Sequence, residues 1–275
     1  MDQETAPLSP LNRETDHILG PTPMTPHPHC STAVLALIHK FCVIWYTLLL
    51  VIVTGTSTDN NSHTSQLVIA TGPTESPAII RITSYPPFVW FALGLATALY
   101  DHAAILYRYE EYRASVQQSR SRAKGNLLAA TLWAIALATS SLTNADDIIW
   151  ILGLSCQIGA LHAFLKFSDP NPITALRSSP IAWRICVVLS AFFVTIPILR
   201  IAFHSQPWWL YGCVAVVILF LVLVLLNQGL FIYQVSFWDS YAITEGIHLV
   251  VCLLCNTLFA VFLICSAFDP KDPSR

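Results

Sequence analysis

The sequence predicts an all-α integral membrane protein, a bundle of seven transmembrane helices with a cytosolic N-terminus and an extracytosolic C-terminus. Three observations carry that expectation. Of 275 residues, 55% are hydrophobic and only 11% charged, against roughly 25% charged in soluble domains; too few charges remain to coat a water-facing surface. Apolar runs of about 20 residues recur, the length a helix needs to cross a hydrocarbon core of about 30 Å. The Lys and Arg residues also divide unevenly when those runs are threaded through a bilayer. With the N-terminus inside, Arg13, Lys40, Arg108, Arg113, Arg120, Arg122, Lys124, Lys166, Arg177 and Arg184 are cytosolic. Only Arg81, Arg200, Lys271 and Arg275 then lie outside, which is the bias that orients membrane proteins.

Residues 1–32 form a Pro-rich cytosolic tail too polar to pack, and are predicted to be disordered. The opening "MDQETAPLSPLNRETD" lacks an apolar core, which argues against a cleaved signal peptide. Ser9-Pro10, Thr22-Pro23 and Thr25-Pro26 are phosphorylation candidates, and Cys30 is an acylation candidate. The first span covers about 33–53. It leads into a long outer loop, 55–87, in which "QLVIA" and "AIIRIT" are short β-formers that predict a small hairpin. Asn60-Asn61-Ser62 is an N-glycosylation sequon on that side. Span two, about 88–108, is followed by the basic inner loop "YRYEEYRASVQQSRSRAK". Spans three to seven are placed at about 125–143, 148–167, 181–203, 208–235 and 240–267, with a short outer tail at 268–275. The third is the weakest, because it contains Gly125 and Asn126 and ends in Thr and Ser. The eight Cys fall almost entirely within apolar segments and none lies in the long loop, so no disulfide framework is implied.

Polar side chains at membrane depth are costly, about 2.5–3.5 kcal/mol for a mid-membrane Asp, and face the bundle interior or water. His39, His102, Asn227, Gln228 and Glu245 fall at similar depths in the inner half of four spans. Asp101 adjoins His102 but points about 100° away from it. In the last span Glu245, His248, Cys252 and Asn256 are separated by three, four and four residues, so they share one helix face. This inner-half layer admits three readings: satisfied interhelical hydrogen bonds, a hydrated proton-responsive cluster, or a metal site of His39, His102 and His248 that no spacing demands. Cys252-x-x-Cys255 on a lipid-embedded helix reads most simply as packing. No hydrolase, kinase or dinucleotide motif is present, and no nucleophile–base pair can be argued, so an enzyme is not expected.

The stretch "PWWLYGCVAVVILFLVLVLLNQGLFIYQVSFWDSYAITEGIHLVVCLLCNT", residues 207–257, resembles the heliorhodopsins, seven-helix retinal proteins whose N-terminus faces the cytosol. Pro207, Tyr211, Asn227, Trp238, Tyr241 and Glu245 stand where the family's pattern runs. "ALIHKF" and "ATALYDHAA" resemble its His-bearing first and second helices, "RYEE" the loop that follows, "AATLW" the third helix and "IIWILGLSCQIGAL" the fourth. The resemblance covers about 33–268 and implies a rhodopsin-like bundle. In its register the retinal-bearing lysine falls on Asn256 and the acidic counterion of the third helix falls near Gly125. An amide nitrogen is not a nucleophile and forms no Schiff base, so covalent retinal is not expected. Without the cation, a buried counterion would be an unpaired charge, and the two losses fit together.

The first expectation is therefore a non-enzymatic, heliorhodopsin-like membrane protein with a non-photoactive ligand-binding, sensory or membrane-partner role. A non-covalent retinoid or other apolar ligand would fit between the helices, with Trp133, Phe192, Phe193, Phe220 and Trp238 as candidate walls. The alternatives are an ion or proton conductor using the polar layer, or a receptor of the G-protein-coupled kind. The second of these is opposed by the orientation and by missing Asp-Arg-Tyr and Asn-Pro-x-x-Tyr signatures. The lipid bilayer is the expected partner and nucleic acid is not. A homo-oligomer, a protein partner and the choice of plasma membrane or endomembrane stay open.

Overall fold

The computed structural model describes residues 32–59, 65–71, 78–85, 87–117, 127, 131–139, 156, 158–160, 180–203, 208–233 and 235–267. The N-terminal tail, Cys30, Asn60, Gly125 and the outer tail lie outside these residues. Six α-helices are delimited: α1 (Thr32–Asp59), α2 (Pro87–Tyr107), α3 (Tyr109–Gln117), α4 (Pro180–Phe203), α5 (Trp208–Ile232) and α6 (Tyr241–Ala267). Residues 131–139 are also helical, as are 158–160. Among the described residues, four helices (α1, α2, α5 and α6) are long and apolar enough to cross a membrane.

The amphipathic logic of a soluble helix is inverted. On α1 the residues Leu35, His39, Cys42, Tyr46, Leu49 and Val53 alternate by four and three and are all buried, which draws one stripe down the helix. The opposite face carries Leu37, Phe41, Ile44, Leu48 and Val51, all exposed. His39 and Glu245 are wholly buried while Leu37 is 67% exposed. Water would reverse that arrangement; hydrocarbon favours it. α6 occupies the middle of the described bundle, against α1, α3 and α5, while α2 packs on α1 and α4 on α5.

Two boundaries differ from the sequence expectation. α1 runs through Asp59, into residues assigned to the outer loop. Thr54 Oγ1 bonds back to the carbonyls of Leu50 and Val51, and Thr56 Oγ1 to those of Ile52 and Val53, so the polar end satisfies its hydroxyls without leaving the helix. The segment assigned to the inner loop after α2 is also partly helical: Arg108 N–H bonds the Ala104 carbonyl and Tyr112 N–H the Arg108 carbonyl, so one turn residue leads from α2 into α3. The expected hairpin is present: β1 (Ser65–Thr71) pairs antiparallel with β2 (Ala78–Tyr85), from Ser65 opposite Tyr85 to Thr71 opposite Ala78. A bulge falls between Leu67 and Val68.

Candidate functional site

The polar layer is assembled from both ends of the chain. His39 on α1 and His102 on α2 meet at 2.7 Å between their Nδ1 atoms. One imidazole must donate and the other accept, so a neutral pair holds two different tautomers. Neither Nε2 atom has a hydrogen-bond partner among the described residues, although both rings are buried. Tyr112 of α3 stands edge-on to the His39 ring at 5.0 Å between centroids. Its hydroxyl donates to Glu245 Oε1 at 3.3 Å, and Glu245 is fully buried at the start of α6.

The stripe on α6 is where its spacing placed it. Glu245, His248, Cys252 and Asn256 are all buried. His248 Nε2 lies 3.6 Å from Cys252 Sγ rather than beside the other two histidines. Among the described residues, no group of three His, Cys, Asp or Glu side chains is placed to hold a metal ion. Cys42, Cys252 and Cys255 are free thiols in the core.

Asn256 ties three segments together. Its Nδ2 donates to Tyr46 Oη of α1 at 3.2 Å and to Thr131 Oγ1 at 3.3 Å. The Tyr46 ring stacks obliquely against His102 at 5.4 Å. Polar groups therefore follow one another from Glu245 and Tyr112 through His39, His102 and Tyr46 to Asn256 and Thr131. From Glu245 to Asn256 this column climbs about 16 Å of α6. One residue beyond, Thr257 Oγ1 accepts the Trp45 indole N–H at 2.8 Å.

The remaining layer residues play other parts. Asn227 Nδ2 donates to the Thr244 carbonyl and its Oδ1 accepts the Trp238 indole N–H, both at 2.9 Å. This clasps the end of α5, the 3-10 turn Ser236–Asp239 and the start of α6. Gln228 is buried. Asp101 is only half-buried, consistent with its pointing away from His102. The proposed ligand walls are revised: Phe192 is 62% exposed on the outer surface of α4, and Trp238 belongs to the turn and stacks on Phe237. Phe220 is buried and Trp133 packs at the core edge, while the Phe193 side chain lies outside the description.

Sequence reasoning did not single out Tyr46, Tyr112 or Thr131. Tyr46 could have been found, since it continues the face of His39 and Cys42 at spacings of three and four. Tyr112 sits in a charged segment with no hydropathy signal, and Thr131 is one hydroxyl in an Ala-rich run.

No protein-family model matches the chain, and no curated protein matches it at a significant level.

Proposed function

We propose that the chain is a non-enzymatic seven-helix membrane protein of heliorhodopsin build that cannot attach retinal covalently. Its role is sensory: it binds an apolar ligand or a partner within the membrane rather than absorbing light. The observation that carries the reading is Asn256, buried at mid-helix and bonded to Tyr46 and Thr131, at the position where the resemblance puts the pigment lysine. A side chain that bridges three segments replaces one that would carry a chromophore. The long outer hairpin between α1 and α2 fits the same build.

The orientation has its own support. Tyr112 reaches Glu245, so α3 and the start of α6 share one end of the bundle. α1 begins at that end, where Tyr109 bonds the Thr32 carbonyl, and the hairpin follows its far end, with Lys and Arg concentrated around α3 in the sequence.

The test is reconstitution. Purified full-length protein given all-trans-retinal shows only free-retinal absorption, because the amide of Asn256 cannot condense with the aldehyde. A red-shifted band that survives mild hydroxylamine overturns the reading. Non-covalent binding is read separately from quenching of Trp45, whose indole is bonded beside Asn256.

A second reading, a proton conductor, is favoured by the His39–His102 contact at 2.7 Å, since two imidazoles so placed can share and pass a proton. Acid-driven flux in vesicles, lost in His39→Phe, would select it over the first.

A further inference from the structure

Among the six delimited helices α3 is the shortest and the only mostly polar one: nine residues that follow α2 after a single turn residue and pack on the start of α6. An isolated helix shorter than about 12–15 residues is marginal in water, so α3 owes its helicity to what it docks on. The docking face is narrow. It consists of Tyr109, Tyr112 and Val116, spaced by three and four, with Tyr112 and Val116 buried. Glu110 and Arg113 lie on the exposed side, joined only by a long ion pair at 3.9 Å.

Both tyrosines are anchored to the membrane-spanning helices. The Tyr109 hydroxyl donates to the carbonyl of Thr32, the first residue of α1. The Tyr112 hydroxyl donates to the buried Glu245 carboxyl, and its ring lies against His39. The ionisable groups around this contact are His39 and, behind it, His102 from the α1–α2 side, and Glu245 and His248 from α6. A phenol bonded to an ionised carboxylate is held more strongly than one bonded to a neutral acceptor.

We infer that α3 is a latch whose folding onto the bundle end is set by the buried His39–Tyr112–Glu245 contact, so that a change in that cluster is delivered to the aqueous face as order or disorder of α3. Order–disorder transitions of short segments are a recurrent way of turning a local chemical change into a surface one.

Hydrogen exchange on the full-length protein in nanodiscs tests it. In Tyr112→Phe and in Glu245→Gln the amides of 109–117 exchange about tenfold faster or more, while α5 and α6 keep wild-type rates. Thr257→Val, which breaks the Trp45 contact elsewhere, leaves α3 unchanged. Unchanged α3 rates in the first two variants overturn the latch, and so does equal acceleration in all three. If either variant fails to fold, the wild type decides. α3 must exchange as a unit of its own, well ahead of α6; exchange in step with α6 overturns the proposal.

Discussion

Asn256 contributes to the bundle by making two modest bonds in a place where an unsatisfied amide would be costly. Interhelical hydrogen bonds in membranes average about 0.6 kcal/mol and reach about 1.7. Asn256→Leu is therefore expected to destabilise the protein by about 1 kcal/mol, measured by unfolding in mixed micelles. Combining it with Tyr46→Phe should cost less than the sum of the two changes, because both remove the same 3.2 Å bond. The geometry also indicates where a carboxylate would have to stand to face an amine at residue 256. The resemblance puts the counterion position near Gly125, which lies outside the described residues, whereas Thr131 Oγ1 lies 3.3 Å from Asn256 Nδ2. Asn256→Lys with Thr131→Glu is expected to give a red-shifted band with retinal. A folded double variant that stays colourless would mean that the space around residue 256 does not admit the polyene. At this scale the periodicity of α6 made its own stripe readable, but not the partners, because contacts between distant segments leave no local pattern.

At the scale of elements, the α5–α6 connection is closely specified. Asn227 satisfies the Thr244 carbonyl and the Trp238 indole at once, and Ser236 adopts a φ of 53°, a region most side chains avoid. Asn227→Leu removes the side-chain donor to the Thr244 carbonyl and the acceptor of the half-buried Trp238 indole N–H, and a group so orphaned costs about 1–3 kcal/mol when buried. It is expected to cost more than Asn256→Leu in the same assay. On the neighbouring face, Trp183 donates to the Leu225 carbonyl at 2.9 Å and covers Gly229, where a Cβ would lie 2.9 Å from the indole ring. Gly229→Ala should push the indole away and shift Trp183 emission to the red. The ends of α2, α4, α5 and α6 were legible within a few residues because hydropathy falls sharply where each meets Pro or polar chain. α1 overran its apolar stretch because Thr hydroxyls can close on their own helix. α3 was missed because its stability comes from docking, which composition does not record.

For the whole molecule, the direction of each helix constrains how the chain crosses the bilayer. α1 and α2 run antiparallel on either side of the β1–β2 hairpin, which returns α3 to the end where α1 begins. The Tyr112–Glu245 contact puts the α5–α6 turn on that same side. α5 therefore begins on the far side, as does the end of α4, which is 24 residues long and only four residues away in sequence. If α4 crosses, its start returns to the side of α3, and residues 118–179 must cross an even number of times. The crossings then total five or seven, and the termini lie on opposite faces in either case. Seven is the number that apolar runs at about 125–143 and 148–167 predict. A cysteine placed between them, at 144–147, separates the two: labelling by a membrane-impermeant maleimide from the extracytosolic face is expected for seven, and labelling from the cytosolic face would leave five. Protease protection of terminal tags checks the parity itself, with only the N-terminal tag expected to be cut from the cytosolic face of sealed vesicles. Two tags cut from one side would mean that one of α1, α2, α5 and α6 does not cross; α4 leaves the parity unchanged, because residues 118–179 would then cross an odd number of times.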